Sequence, residues 1–336
     1  MTALSSIAMS AYTDLVRLLK DDSMSEITDK PMLKQRGAKA YWYAARRVGS
    51  QMRFIYLGED SDEMRARIDR IEELRATAKA RQTERSRLVR LLRAEGMTPT
   101  DRATGSILSA MANAGTFRLG GTIVGTHAFR LYEGELGLRL PLGEVANTGD
   151  IDIAQFRKLS LALNDQVDPD LTEVFTSLKF DPLPSLDNGQ TWRWSQGGSG
   201  QLVEFLTPAF GVETIRDLPA LGVKAQALNY LNYLIAEPIH AAALYRSGVL
   251  VQIPRPERFA IHKLIVADRR RDGEGRLKAA KDRAQAVFLI NALAQDRPDD
   301  LSLAYSAAMD VGPRWRERIQ NTLKRMPETN EVLDGL

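Results

Sequence analysis

The stretch Thr148-Gly149-Asp150-Ile151-Asp152-Ile153-Ala154 constrains this chain more than any other. In extended backbone, successive side chains point to opposite faces. Asp150 and Asp152 therefore share one face, while Ile151 and Ile153 share the other and point to a core. Two carboxylates at adjacent same-face positions repel each other, and keeping both ionised is costly. A divalent cation relieves the repulsion, because hard cations take oxygen ligands.

Two more segments belong with this one. Upstream, the apolar run Thr122-Ile123-Val124 ends in Gly125-Thr126-His127-Ala128-Phe129. Downstream, Leu202-Val203-Glu204-Phe205-Leu206 sets one acid inside an otherwise apolar strand. Glycine at the strand-to-helix turn permits close backbone approach, and amides at a helix start can cradle phosphates. Thr126 adds a hydroxyl there. Gly125 could equally serve the tight turn alone, and His127 could contact phosphate or acceptor, or sit partly buried at a helix start.

The order strand–glycine turn, acid-x-acid, then a lone acid on a third strand resembles the minimal nucleotidyltransferase superfamily that includes DNA polymerase beta. The resemblance spans about residues 120–285. It implies an α+β fold, a mixed sheet flanked by helices. It also implies magnesium-dependent transfer of a nucleoside monophosphate from a nucleoside triphosphate such as ATP to an acceptor hydroxyl. Asp150, Asp152 and Glu204 would hold two ions, magnesium or alternatively manganese, at the two-metal spacing of about 3.5–4 Å. Gly125, Thr126 and His127 would lie against the nucleotide. The gap from Gly125 to Asp150 is longer than the family usually shows, which places an insertion or an added strand between Gly137 and Asn147.

Within the superfamily the chain looks closest to uncharacterised bacterial nucleotidyltransferase-like proteins. It is more distantly similar to nucleotidyltransferase toxins of abortive-infection and toxin–antitoxin systems. Those toxins carry a lysine and a Lys/Arg-Asp pair on C-terminal helices, which Lys263 and Lys281-Asp282 match loosely. That likeness implies transfer onto RNA, often transfer RNA, or onto a protein side chain. Lys263 is also the only cation in the apolar helical stretch Phe259 to Ile265. It either contacts a triphosphate or snorkels to solvent.

At 336 residues, two or three domains fit. Patterning divides them into an N-terminal region 1–98, a catalytic domain 99–255 and a C-terminal helical domain 256–336. In the first, Tyr41-Trp42-Tyr43 and Phe54-Ile55-Tyr56 flank Gly49-Ser50 as a β-hairpin. A long helix follows from Ser61 to about Ala94, with Ile68, Ile71 and Leu74 at helical spacing. Between Arg75 and Arg93 it carries Arg75, Lys79, Arg81, Arg85, Arg87, Arg90 and Arg93 against the single acid Glu84. This helix is a candidate RNA contact, a solvated face, or a surface for a protein partner or a second copy.

Absence of cysteine excludes disulfides and thiolate chemistry, and three scattered histidines argue against a histidine-built zinc centre. No secretory signal or membrane-length apolar run is visible, so a cytoplasmic protein without membrane contact is expected. Two rival functions share these residues. One is protein nucleotidylation or phosphoryl transfer at the same site. The other is a catalytically degenerate fold that only binds nucleic acid or protein.

Overall fold

The computed structural model describes residues 1–23, 30–48, 51–141, 143, 149–163, 165–185, 189–198, 200–270 and 275–336. The fold is α+β. A short helix, α1 (Ser6–Ser23), buries Ala8, Ala11, Tyr12, Leu15 and Leu19 on one face. Three antiparallel strands follow, β1 (Lys30–Arg36), β2 (Lys39–Val48) and β3 (Gln51–Glu59), in the order β1-β2-β3. The expected hairpin is β2–β3, although its turn, Gly49-Ser50, lies outside the described residues. β1 was not foreseen; Lys30-Pro31-Met32-Leu33-Lys34 has too few apolar positions to alternate clearly.

The long helix α2 (Asp62–Ala94) starts where its capping chemistry dictates. Ser61 accepts a hydrogen bond from the Met64 amide, and Asp62 and Glu63 complement the helix dipole. Its 33 residues span about 50 Å. Only Ile68, Leu88, Val89 and Leu92 are buried along it. The last three join α1, Ala242 and Leu244 in a small core of their own. α3 (Arg102–Asn113) is capped by Asp101.

The main sheet begins with β4 (Thr122–Val124), which runs directly into α4 (Gly125–Leu136). Gly134 in this helix leaves room for the Tyr12 ring, which a β-carbon would strike. After α4, Leu138 bridges to Ala3. Of the expected insertion, residues 142 and 144–147 lie outside the described residues. β5 (Asp150–Ala154), β6 (Asp181–Pro184), β7 (Thr191–Gln196), β8 (Gln201–Ala209), β9 (Ile215–Leu218) and β10 (Val223–Asn229) complete the sheet. Its main order is β4-β5-β8-β10-β9, with β7 on the flank of β8 and β6 beside β7. β5, β8 and β10 are mutually parallel neighbours, and the other pairings are antiparallel. Short helices α5 (Arg157–Ala162) and α6 (Leu171–Ser177) lie in the crossover from β5 toward β8. α6 starts at Leu171 because Asp170 caps it, accepting from the Thr172 amide.

Past α7 (Leu231–Leu234), a separate ribbon pairs β11 (Ile239–Ala243) with β12 (Val249–Ile253), as the sequence suggests. Then come α8 (Pro256–Arg269), α9 (Arg276–Asp296), α10 (Pro298–Asp310), α11 (Pro313–Leu323) and α12 (Pro327–Asp334). The side chains of these helices and of the main sheet share one continuous core, from Ile107 to Leu333. No helix among the described residues is long and apolar enough to cross a membrane.

Candidate active site

β5 alternates as its sequence requires. Ile151 and Ile153 are fully buried, and Asp150 and Asp152 are half-buried on the other face. β8 lies beside it in parallel register, Asp150 against Leu202 and Asp152 against Glu204. The lone acid is therefore level with the second acid of the pair, one strand away. Sheet register, not sequence proximity, gathers the three carboxylates.

Their electrostatics reflect the gathering. Burial first, then the neighbouring charges of Glu204 and Asp150, push the Asp152 carboxyl up to about 7. Glu204 is likewise raised, by burial and then by Asp150, while Arg193, a hydrogen bond from Asp152 and Lys278 partly offset the rise. Burial and like charge thus raise both carboxyls, and a hydrogen bond joins Asp152 and Glu204. The donor set, three carboxylates frustrated by one another, fits divalent cations. As they stand, the side chains are not closed on a centre, since no group of three His, Asp or Glu among the described residues is in ligand arrangement.

β4 pairs with β5 so that Val124 is level with Asp152, which puts Gly125 against that carboxylate. Gly125 has φ +67°, and a β-carbon there would lie 2.5 Å from Asp152 Oδ2. The glycine is needed for the close approach of the Asp152 carboxylate. Val124 precedes the first turn of α4 and makes no side-chain cap hydrogen bond to it. Thr126 is half-buried on that turn. His127 is buried against α3, beside Thr98, Pro99 and Thr104. Burial and then Arg130 pull it down to about 4, so it is neutral at physiological pH.

Lys263 neither snorkels nor stands free. It is buried, and its ammonium lies 2.6 Å from Asp282 Oδ1. Arg270 reaches the other oxygen of the same carboxylate at 2.9 Å. Burial would raise Asp282, but Lys263 and Arg270 outweigh it and hold the carboxyl below its usual range. The two cations also act on Asp152, and Lys281 interacts with Asp150. Lys281 itself is pulled down by burial and then by Lys263. The α8–α9 pair thus sets Lys263, Arg270, Lys278 and Lys281 facing the acids. The loop between these helices, residues 271–274, lies outside the described residues.

Sequence reasoning did not assign a role to Arg193. It is level with Glu204 on β7, and its guanidinium lies 3.9 Å from Glu204 Oε1. The alternating Trp192-Arg193-Trp194 marks a strand, but nothing local says which strand it joins. The cations of α2 are largely committed inside the molecule. Arg81 and Arg85 pair with Asp22, Arg87 with Glu84, and Arg93 donates to the Leu244 carbonyl.

A family model described as nucleotidyltransferase matches residues 102–310, from α3 to the end of α10. The chain belongs to this nucleotidyltransferase family. The match holds all three carboxylates, Gly125, Lys263 and Lys281, and leaves out α1, the N-terminal sheet and α2. Among solved structures, this nucleotidyltransferase is similar to an antigenic nucleotidyltransferase-like protein from Paracoccidioides brasiliensis. The two are 14% identical, with a TM-score of 0.38 over 70% of this chain and 95% of that one. No curated protein matches it.

Proposed function

We propose that this nucleotidyltransferase moves a nucleoside monophosphate from a nucleoside triphosphate, ATP among the candidates, to an acceptor hydroxyl, with Asp150, Asp152 and Glu204 as ligands for two divalent cations. The observation that carries this reading is the register of β5 on β8, which sets a lone glutamate level with an Asp-x-Asp pair. Magnesium, or manganese, would supply charge neutralisation at the acceptor and leaving oxygens.

The chain's own residues supply position and charge. Asp152 releases its proton before all three carboxylates can serve as ligands, since burial and like charges hold that proton near neutrality. Glu204 stands where an acceptor hydroxyl proton can be taken up. Lys263, Arg270, Lys278 and Lys281 offer a cationic wall to a triphosphate, with Asp282 holding the first two in place. Such preorganised charge is what phosphoryl-group chemistry rewards.

RNA is the acceptor class we favour, with a protein side chain as the alternative. Incubating the protein with α-labelled nucleoside triphosphates, magnesium and total RNA or protein tests both. Metal-dependent label on RNA is the expected result. In a parallel incubation with γ-labelled triphosphate, label carried only from the γ position would instead indicate phosphoryl transfer. Equal labelling by Asp152→Asn would place the chemistry elsewhere. The presence of all three carboxylates counts against a fold that only binds.

A further inference from the structure

The two sides of the N-terminal sheet β1–β3 carry different side-chain chemistry. On one side, Pro31 and Ala44 are buried, Leu33 and Ile55 are exposed, and the Trp42 indole donates to Asp60. The other side brings together Lys34, Tyr41, Tyr43, Phe54 and Tyr56 across all three strands. The register sets Lys34 level with Tyr41, and Tyr43 level with Tyr56. The Tyr56 ring meets Tyr41 at 6.1 Å and Tyr43 at 5.7 Å, and the Lys34 ammonium lies 3.3 Å over the Phe54 ring. Phe54 is 43% exposed and Tyr56 57%, where apolar rings are usually covered. By alternation, Lys30, Arg36 and Lys39 flank them, all three exposed, with Lys39 paired to Glu59 at 2.9 Å.

We propose that this face of β1–β3 binds single-stranded nucleic acid, with Phe54 and Tyr56 as stacking platforms and Lys30, Lys34, Arg36 and Lys39 as phosphate contacts. Every base has a π-face, so exposed rings with interspersed cations hold single strands without needing a particular sequence. Residues two apart on one strand lie about 7 Å from each other, which offers Phe54 and Tyr56 to different bases. A protein partner would be better served by an apolar surface without cations among the rings, since charge is depleted from interface cores. The sheet lies outside the matched catalytic region, residues 102–310. Only the step from a bound strand to an acceptor strand rests on the reading above.

The test is fluorescence anisotropy with a labelled oligouridylate RNA and the full chain, without nucleotide or magnesium, so that failed catalysis cannot masquerade as failed binding. Binding should weaken with salt at a log–log slope near −0.7 per phosphate contact. Phe54→Leu and Tyr56→Leu keep the apolar volume but remove the rings. Each should lower affinity roughly 5- to 150-fold, with an unchanged melting curve as proof of folding. Lys34→Gln and Arg36→Gln should each reduce the slope by about 0.7. Unchanged affinity in both leucine variants, or no binding by the parent protein at about 50 mM salt, would overturn the proposal. So would sedimentation showing that the leucine changes dissociate a dimer while RNA binding persists.

Discussion

Asp152 carries a conflict that only function explains. A folded-state carboxyl near 7 is raised above its unfolded value of about 3.8. The folded protein therefore binds more protons than the unfolded chain between those pH values, and stability falls as pH rises through that window. Without metal, the melting temperature should drop between about pH 4 and 7, and Asp152→Asn should flatten that drop. The same variant should melt a few degrees higher than the parent near pH 7.5 yet lose most transfer. A lower melting temperature for Asp152→Asn would show that the buried carboxylates are not in conflict. Gly125 is tied to the same atom. Gly125→Ala meets Asp152 Oδ2 and strains a backbone at φ +67°, so it should cost about 1 kcal/mol or more of stability. It should also weaken metal binding before nucleotide affinity changes, as calorimetry with manganese alone would report.

At the scale of elements, the α8–α9 contact depends on one buried acid serving two cations. Removing it leaves Lys263 without its partner in an apolar setting. Asp282→Asn should destabilise by about 3–5 kcal/mol, read as a lower urea midpoint. Joint replacement of Lys263 and Asp282 by Met and Leu should recover much of that loss, because well-packed apolar residues often replace a buried pair at little cost. The double variant should still lose triphosphate affinity, since Lys263 would no longer face the acids. Full retention of nucleotide binding would mean that Arg270, Lys278 and Lys281 suffice. α2 bears a different expectation. Lys79→Gln and Arg90→Gln act on exposed cations of a helix in which Arg81, Arg85 and Arg87 are already paired within the molecule. Together they should change RNA affinity less than twofold, by the same anisotropy measurement. A larger loss would make α2 part of the nucleic-acid surface.

For the whole molecule, local patterning already determined most elements and the identity of the three acids. Alternation on β5 placed Asp150 and Asp152 on one face without reference to any other strand, and Ser61 marked a helix start by capping chemistry alone. The strands β9 and β10 escaped notice because Val223-Lys224-Ala225-Gln226-Ala227 hides a strand in residues that also suit a helix. What tertiary structure alone decided is neighbourhood. That β8 lies next to β5, that Arg193 on β7 is level with Glu204, and that Lys263 meets Asp282 are long-range facts. They depend on which surfaces pack once the chain collapses, and packing is set by shape and burial across the whole core rather than by periodicity within a segment. The commitment of Arg81 and Arg85 to Asp22 has the same origin. In sequence they read as free charge; only the fold brings their partner to them.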